Sequence, residues 1–251
     1  MLIGCGQWSI TLGRFDVMFA IQTMARFSAA PKEGHLTRML RVFGYLKGYL
    51  RYGIIIDTSE KQVQGVEDVE VNWNEQYPGA TEELPKDMPM PKGKEVKITT
   101  YVDADHAHDL ITRRSVTGIL LFINNTPVKW YSKRQNTVET STYGAELVAL
   151  RIATEIIIEF RYKLRMMGIP LSGPSVVLCD NQGVVLNTSL PSSSLKKKHN
   201  AIAYHRVREA VAAGVIKVQH INGKENVADI LTKATDGPTF RKHLKAVLVP
   251  L

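Results

Sequence analysis

Lys97-Ile-Thr-Thr-Tyr-Val-Asp-Ala-Asp-His-Ala-His108 is the stretch on which the reading of this chain turns. Val96, Ile98, Thr100, Val102 and Ala104 alternate with Lys97, Thr99, Tyr101, Asp103 and Asp105, and that period of two predicts a strand packed on at least one side. In such a strand Asp103 and Asp105 share a face. Two carboxylates held together by a rigid element repel unless positive charge lies between them, and a divalent metal meets that need. A solvated strand end running into an Asp-rich turn needs no metal, so this stretch alone leaves both readings open.

Downstream, strands and helices alternate. Residues 116–123 and 127–132 read as strands parted by Asn124-Asn125-Thr126, where Asn-Asn accepts the left-handed conformations of a tight hairpin turn, so the first three strands form an antiparallel meander. A long helix is capped by Ser141 or Thr142, runs to Met167 and stops at Gly168. Its buried stripe is Ala145, Ala149, Ile152, Ile156 and Phe160, and Glu146 borders the core. Val176-Val-Leu-Cys179 is a short unbroken apolar run, as in a parallel strand covered on both faces, and it ends in Asp180. Sites in open sheets of this kind are built at the carboxyl ends of strands. Residues 181–190 and 196–213 read as helices, 215–221 as a fifth strand, and a last helix follows the cap Asn226 with Asp229 in its first turn.

Upstream the pattern differs. Residues 1–13 are apolar and Gly-rich, and 15–27 carry Phe15, Met18, Phe19, Ile21 and Ala25 at helical spacing. A second helix runs from Pro31 to Leu50, burying Leu36, Leu40, Phe43 and Leu46 and presenting Lys32, Arg38, Arg41, Lys47 and Arg51. That basic face suits phosphates, although a solvated helix surface is the simpler reading. Residues 53–57 read as a short strand. From 58 to 95 no period is sustained, and Pro78, Pro85, Pro89 and Pro91 with the acidic Glu82, Glu83 and Asp87 predict a linker or insertion holding the domain boundary.

With 44% hydrophobic and 22% charged residues the 251-residue chain can build a core, as one large domain or two small ones. A net charge of +8 suits a polyanionic partner, but only as weak support. Cys5 and Cys179 are too few for a disulfide framework, and Cys179 reads as a buried inert thiol, which points to a reducing, intracellular setting. No uncharged apolar run reaches the roughly 18 residues of a membrane span, and no signal peptide is visible, so no membrane partner is expected.

Asp103, Glu146, Asp180 and Asp229 are four acids from four separate elements. Singly, Asp229 is a helix-dipole residue, Asp180 a turn former and Glu146 a first-turn acid. In this order of elements they match one fold. The region 96–251 resembles the ribonuclease H domain of copia-type LTR retrotransposon polyproteins. The likeness is carried by Tyr101-Val-Asp-Ala-Asp105, Asp109 with Arg113-Arg-Ser115, Trp130-Tyr-Ser-Lys-Arg-Gln135, Ser141-Thr-Tyr-Gly-Ala-Glu146 and Cys179-Asp-Asn-Gln182. It continues through Lys198-His199, His205, Arg208-Glu209 and Ala228-Asp-Ile-Leu-Thr-Lys233. His106 and His108 stand where the family has Trp and Gly. Residues 1–57 resemble more loosely the end of the reverse transcriptase in the same polyproteins, through Leu2-Ile-Gly4, Phe19-Ala20, Arg26-Phe27 and Tyr45-Leu-Lys-Gly48. The polymerase Tyr-x-Asp-Asp turn is absent, so no polymerase activity is expected, and the chain reads as the tail of a polyprotein.

The resemblance implies an α/β, ribonuclease H-like fold: a five-stranded mixed sheet, strands one to three antiparallel and four and five parallel to the first, flanked by helices, behind a small helical N-terminal segment. It implies that Asp103, Glu146, Asp180 and Asp229 hold two Mg²⁺ ions, with Mn²⁺ as substitute, and that the substrate is the RNA strand of an RNA/DNA hybrid. Hard divalent cations favour such oxygen ligands. His220, in a loop where related enzymes carry a histidine, would assist proton transfer or product release; a surface histidine without a role is the alternative. Lys133, Arg134, Asn181, Gln182, Lys196, Lys197, Lys198 and His199 would contact the nucleic acid. The implied partners are the hybrid and the polymerase part of the same polyprotein, in the cytoplasm (as in a virus-like particle) or the nucleus. The rival readings are a nucleic-acid-binding remnant that has lost catalysis, and the same fold turned to DNA strand cleavage.

Overall fold

A computed structural model describes residues 1–63, 71–195 and 198–251. The chain opens with helix α1 (Leu2–Thr11), in a stretch whose composition alone left its local structure open, followed by a 3-10 turn, Phe15–Val17, and helix α2 (Met18–Ala25). The single helix predicted over 15–27 is broken because Asp16 is drawn inward. Its carboxylate is buried, accepts two N–H bonds from Arg14 at 2.8 and 3.0 Å, and accepts the Tyr45 hydroxyl at 2.7 Å. Helix α3 (Glu33–Gly48) starts after Pro31 and buries Met39 with Val42, Phe43 and Leu46 packed behind it. Leu36 and Leu40, expected inside, are 49% and 55% exposed, so the buried stripe lies between the two rows suggested by spacing. The strand expected over 53–57 is reduced to β1 (Tyr52–Gly53).

The main sheet begins with β2 (Ile98–Asp105), continues antiparallel into β3 (Val116–Ile123) and again into β4 (Thr126–Arg134). Asn124 turns the hairpin with φ of 53°. Helix α4 (Thr142–Met166) follows; the Ser141 side chain accepts the Gly144 N–H at its start, and Gly168, with φ of 71°, ends it. Strand β5 (Ser175–Cys179) leads to helix α5 (Gln182–Ser189), helix α6 (Ala201–Ala212) and strand β6 (Ile216–His220). The order in the sheet is β4-β3-β2-β5-β6, with β5 and β6 parallel to β2, as the ribonuclease H-like expectation requires. Strand β2 is buried from Ile98 to Ala104, because both faces are covered. On one side Val102 and Ala104 meet α4; on the other Tyr101 meets Leu120, Phe122 and the N-terminal Phe15.

Two further corrections concern helices. Fully buried positions of α4 include the expected Ala145 and Ala149 together with Leu147, Leu150, Ala153 and Ile157, whereas Ile152, Ile156 and Phe160 are only partly covered. The helix lies on the sheet and against α6 together, which moves the centre of its buried face by one residue. After Asn226 the chain forms a 3-10 turn, Val227–Leu231, in place of the expected helix, and the last helix is α7 (Gly237–Lys245), capped by Asp236. Asn226 accounts for the turn: its Oδ1 accepts the Ala228 N–H at 3.2 Å while its Nδ2 donates to the Val102 carbonyl at 2.9 Å, pinning the turn to β2. A final two-residue strand, β7 (Val249–Pro250), pairs with β1.

Parts of the segment expected to be a linker pack on the body of the fold. Trp73 is buried with the Arg208 guanidinium 4.7 Å from its ring, and Glu82 receives both Arg161 and Arg165. Among the described residues no helix is long and apolar enough to cross a membrane.

Candidate active site

Asp103 sits near the end of β2, 2% exposed, on the face covered by the turn 227–231. Opposite it on β3 is Gly118, where an added Cβ would lie 2.5 Å from the Thr232 Cγ2 and 3.0 Å from the Ala228 carbonyl oxygen. Only bare backbone lets the turn settle so low on the sheet. That approach brings Asp229 toward Asp103 and lets the Thr232 hydroxyl donate to the Asp103 carboxylate. Asp180 directly follows the last residue of β5, and Glu146 enters from the second turn of α4, its Oε1 accepting the Ala104 N–H at 3.1 Å.

Carboxylate oxygens of Asp103, Asp180 and Asp229 lie within 4.8 Å of one another, and Glu146, Asp180 and the Cys179 sulfur form a second group of the same span. Asp180 belongs to both. Crowding of this kind raises pKa values. Burial, with the charges of Asp103 and Asp180 added, pushes Glu146 well above the ordinary carboxylate range. Asp180 is raised by burial and by Asp103, and Asp229 rises to about 6 for the same two reasons. Lys233 is the one cation inside the group among the described residues, its Nζ 2.9 Å from Asp229 and 3.7 Å from Asp103. Burial alone would lower its pKa, but the surrounding carboxylates outweigh that and raise it. Burial also raises the Cys179 thiol, which leaves it protonated and a poor ligand. The available donors are therefore carboxylate oxygens, a set suited to hard divalent cations.

Asp105 does not join the cluster. Its carboxylate accepts from His108 Nδ1 at 2.7 Å, because the strand ends there and the chain doubles back within three residues. The shared face of Asp103 and Asp105 is thus resolved by a histidine partner for one and by the turn for the other. His220 lies at the exposed end of β6 with Nε2 3.2 Å from the Asp180 carbonyl oxygen, beside the acids. Asn181 caps α5 by accepting the Val184 N–H, and Gln182 is exposed next to it. Lys133 and Lys198 are exposed, His199 approaches Glu139 at 3.5 Å, and Arg134 pairs with the buried Asp109. Lys196 and Lys197 lie outside the described residues.

Asn226, Thr232 and Lys233 take roles at the site that were not expected of them from the sequence. Lys233 stands four positions after Asp229, the spacing of neighbours along a helical turn, which is a readable signal. Thr232 and Asn226 act through hydrogen bonds across the fold, and nothing in their sequence positions announces those partners.

No protein-family model matches the chain. Its sequence is similar to the retrovirus-related Pol polyprotein from transposon RE1 of Arabidopsis thaliana, 26% identical over 246 residues, which is 98% of this chain and 14% of that protein. The Pol polyprotein from transposon TNT 1-94 of Nicotiana tabacum is 27% identical over 238 residues, covering 95% of this chain and 15% of its own. The chain therefore spans about one seventh of the length of these relatives. Among solved structures, the N-terminal RNase H domain of rv2228c from Mycobacterium tuberculosis aligns with a TM-score of 0.44 at 13% identity, over 61% of this chain and 99% of that one. The foamy viral protease-reverse transcriptase in complex with an RNA/DNA hybrid aligns at 0.40 and 17% identity, over 78% and 26%.

Proposed function

We propose that this chain, related along 98% of its length to Pol polyproteins of copia-type transposons, hydrolyses the RNA strand of RNA/DNA hybrids endonucleolytically during reverse transcription. The observation that carries the reading is the convergence of Asp103, Asp180 and Asp229 within 4.8 Å, with Glu146 sharing Asp180 in the adjoining group. Those four residues would hold two Mg²⁺ ions, or Mn²⁺ in their place. When bound, such a pair supplies a nucleophilic water at neutral pH and charge stabilisation for the leaving 3′ oxygen.

The chain's own residues prepare the rest. Asp103 is locked by the Thr232 hydroxyl, and Glu146 by the Ala104 N–H, so both carboxylates are fixed before substrate arrives. Lys233 offsets their repulsion and presents positive charge toward a scissile phosphate. His220 at the rim exchanges the leaving group's proton with solvent, its ring nitrogen 3.2 Å from the Asp180 carbonyl oxygen and its side chain open to water. Asn181, Gln182, Lys133, Arg134, Lys198 and His199 contact the hybrid, whose groove shape and 2′ hydroxyls mark the strand to be cut. The products carry a 5′ phosphate and a 3′ hydroxyl. The polymerase part of the same polyprotein is the protein partner this reading assigns.

The test is incubation of the purified chain and Mg²⁺ with a labelled hybrid, beside single-stranded RNA, duplex DNA and an Asp180→Asn control. Cleavage of the hybrid's RNA strand alone, lost in EDTA and in the variant, is expected. A folded, hybrid-binding protein that cuts nothing even with Mn²⁺ overturns the nuclease assignment in favour of a binding remnant, and cleavage of duplex DNA overturns the choice of substrate.

A further inference from the structure

Two of the sequence pieces quoted above take no part in the carboxylate cluster: Asp109 with Arg113-Arg-Ser115, and Ser132-Lys-Arg134. In the fold they meet. Together with α2 they line a cavity of about 260 Å³ whose wall carries four cations, Arg26, Arg114, Lys133 and Arg134. The sole carboxylate engaged with them among the described residues is Asp109, 2% exposed, which accepts Arg26 and Arg134 on one oxygen at 2.5 Å each. Its other oxygen accepts the N–H groups of Ile111 and Thr112 at 3.0 and 3.1 Å. These bonds hold Asp109 well below the usual carboxylate range, chiefly through the Thr112 N–H, so it stays ionised.

Asp109 therefore acts as a clamp beneath the cavity, setting two guanidinium groups side by side while each commits one N–H to it. A guanidinium has five N–H donors, so most remain for a ligand. Arg114 and Lys133 have no ion-pair partner among the described residues, which leaves a surplus of positive charge around a concave space. A group with several oxygens and negative charge, matched to paired Arg forks, is what such a space recognises, and phosphate is the best fit.

Position identifies the source of that phosphate. Ser132 in the cavity wall is opposite Gly118, which is opposite Asp103, and these paired residues share a face of the sheet. The cavity is two strand spacings from the acids, roughly 10 Å. At about 3.4 Å of rise per nucleotide, a span of that size lies within a few nucleotides of the acids along one strand. We propose that the cavity seats a backbone phosphate of the nucleic acid engaged at the carboxylate cluster, and that Arg26 thereby makes the N-terminal helical segment part of the substrate-binding surface. This rests on the nuclease reading above.

Hybrid binding measured in EDTA, where no strand is cut, tests it. The double variant Arg114→Ala with Lys133→Ala removes the two cations that hold nothing else in the fold. Its hybrid dissociation constant should rise about 5- to 20-fold, and the slope of log K against log salt should become shallower by about one. Arg26→Ala, with its melting temperature checked, should move both quantities in the same direction. Inorganic phosphate at matched ionic strength should compete with hybrid in the wild type and not in the double variant. Unchanged affinity and salt slope, in a wild type that still cleaves hybrid with Mg²⁺, overturn the cavity assignment and leave the nuclease reading standing. Pocket-dependent stabilisation by inorganic phosphate with unchanged hybrid affinity makes it a free-anion site and likewise overturns the proposal. A wild type that neither binds nor cleaves hybrid removes both.

Discussion

Asp229→Asn should make the metal-free protein more stable. Folding raises the Asp229 carboxyl from its ordinary 3.8 to about 6, first through burial and then through the charge of Asp103, against the pull of Lys233. A raised carboxyl binds its proton more tightly in the folded state, so the folded state is penalised once the group ionises. The penalty is absent below pH 3.8 and complete above about pH 6. A displacement of that size corresponds to about 3 kcal/mol, which solvent screening at the mouth of the cleft reduces to about 1.5 kcal/mol. For a chain of this length that is a rise of about 3–6 °C in melting temperature at pH 7.5 in EDTA. Saturating Mg²⁺ should reverse the ranking: a ligand at a hundred times its dissociation constant stabilises by about 2.7 kcal/mol, and the variant has lost one of the ligands. Thermal unfolding by circular dichroism across pH 5 to 8, with EDTA or Mg²⁺, reads all of this. Wild type should also gain stability as pH falls toward 5, and the variant should gain less. A variant that melts below wild type in EDTA, or gains as much from Mg²⁺, refutes the argument that clustered charge sets the stability of the empty site.

Gly118→Ala should cost about 2 kcal/mol and at least tenfold in hybrid cleavage, because the new Cβ meets Thr232 and the Ala228 backbone and lifts the turn bearing Asp229; wild-type melting and rate would show that the turn does not need that approach. Glu82→Gln should cost about 2 kcal/mol by leaving the buried Arg161 with an incomplete set of partners. Burial works against its charge, but Arg161 and Arg165 outweigh it and lower Glu82 from 4.5 to about 2. Its contribution is therefore full above pH 4.5 and lost as pH falls toward 2. Acid titration of the two proteins should converge over that window; parallel curves would contradict the pairing.

Local chemistry explains what could be read in advance. The meander, α4 with its Ser141 cap and Gly168 stop, and the buried β5 each follow from period, capping or an unbroken apolar run. The four acids stand out in the sequence as one acid from each of four separate elements, and in the fold Asp103, Asp180 and Asp229 come within 4.8 Å while Glu146 shares Asp180 in the adjoining group. For Asp105 alternation gives the face of the side chain but not the partner waiting there, His108. The turn at 227–231 was read as a helix because Asn226 is a good cap in either case, and the bond from Asn226 to Val102 that selects the turn is non-local. Leu36 and Leu40 follow helical spacing but stay exposed, because α3 meets its neighbours along Met39.

The pairing of Tyr52 with Pro250 ties the early part of the chain to its last residues. Phe15 likewise stacks on Trp130, 4.9 Å between centroids, beneath a turn that includes Ile230. During synthesis at about 5–20 residues per second, on the order of ten to forty seconds separate the emergence of Tyr52 from that of its partner. Through that interval the N-terminal helices carry an apolar surface whose cover has not yet been made. A nascent chain held up between 60 and 220 would leave that surface to chaperones and proteases before the acids ever met.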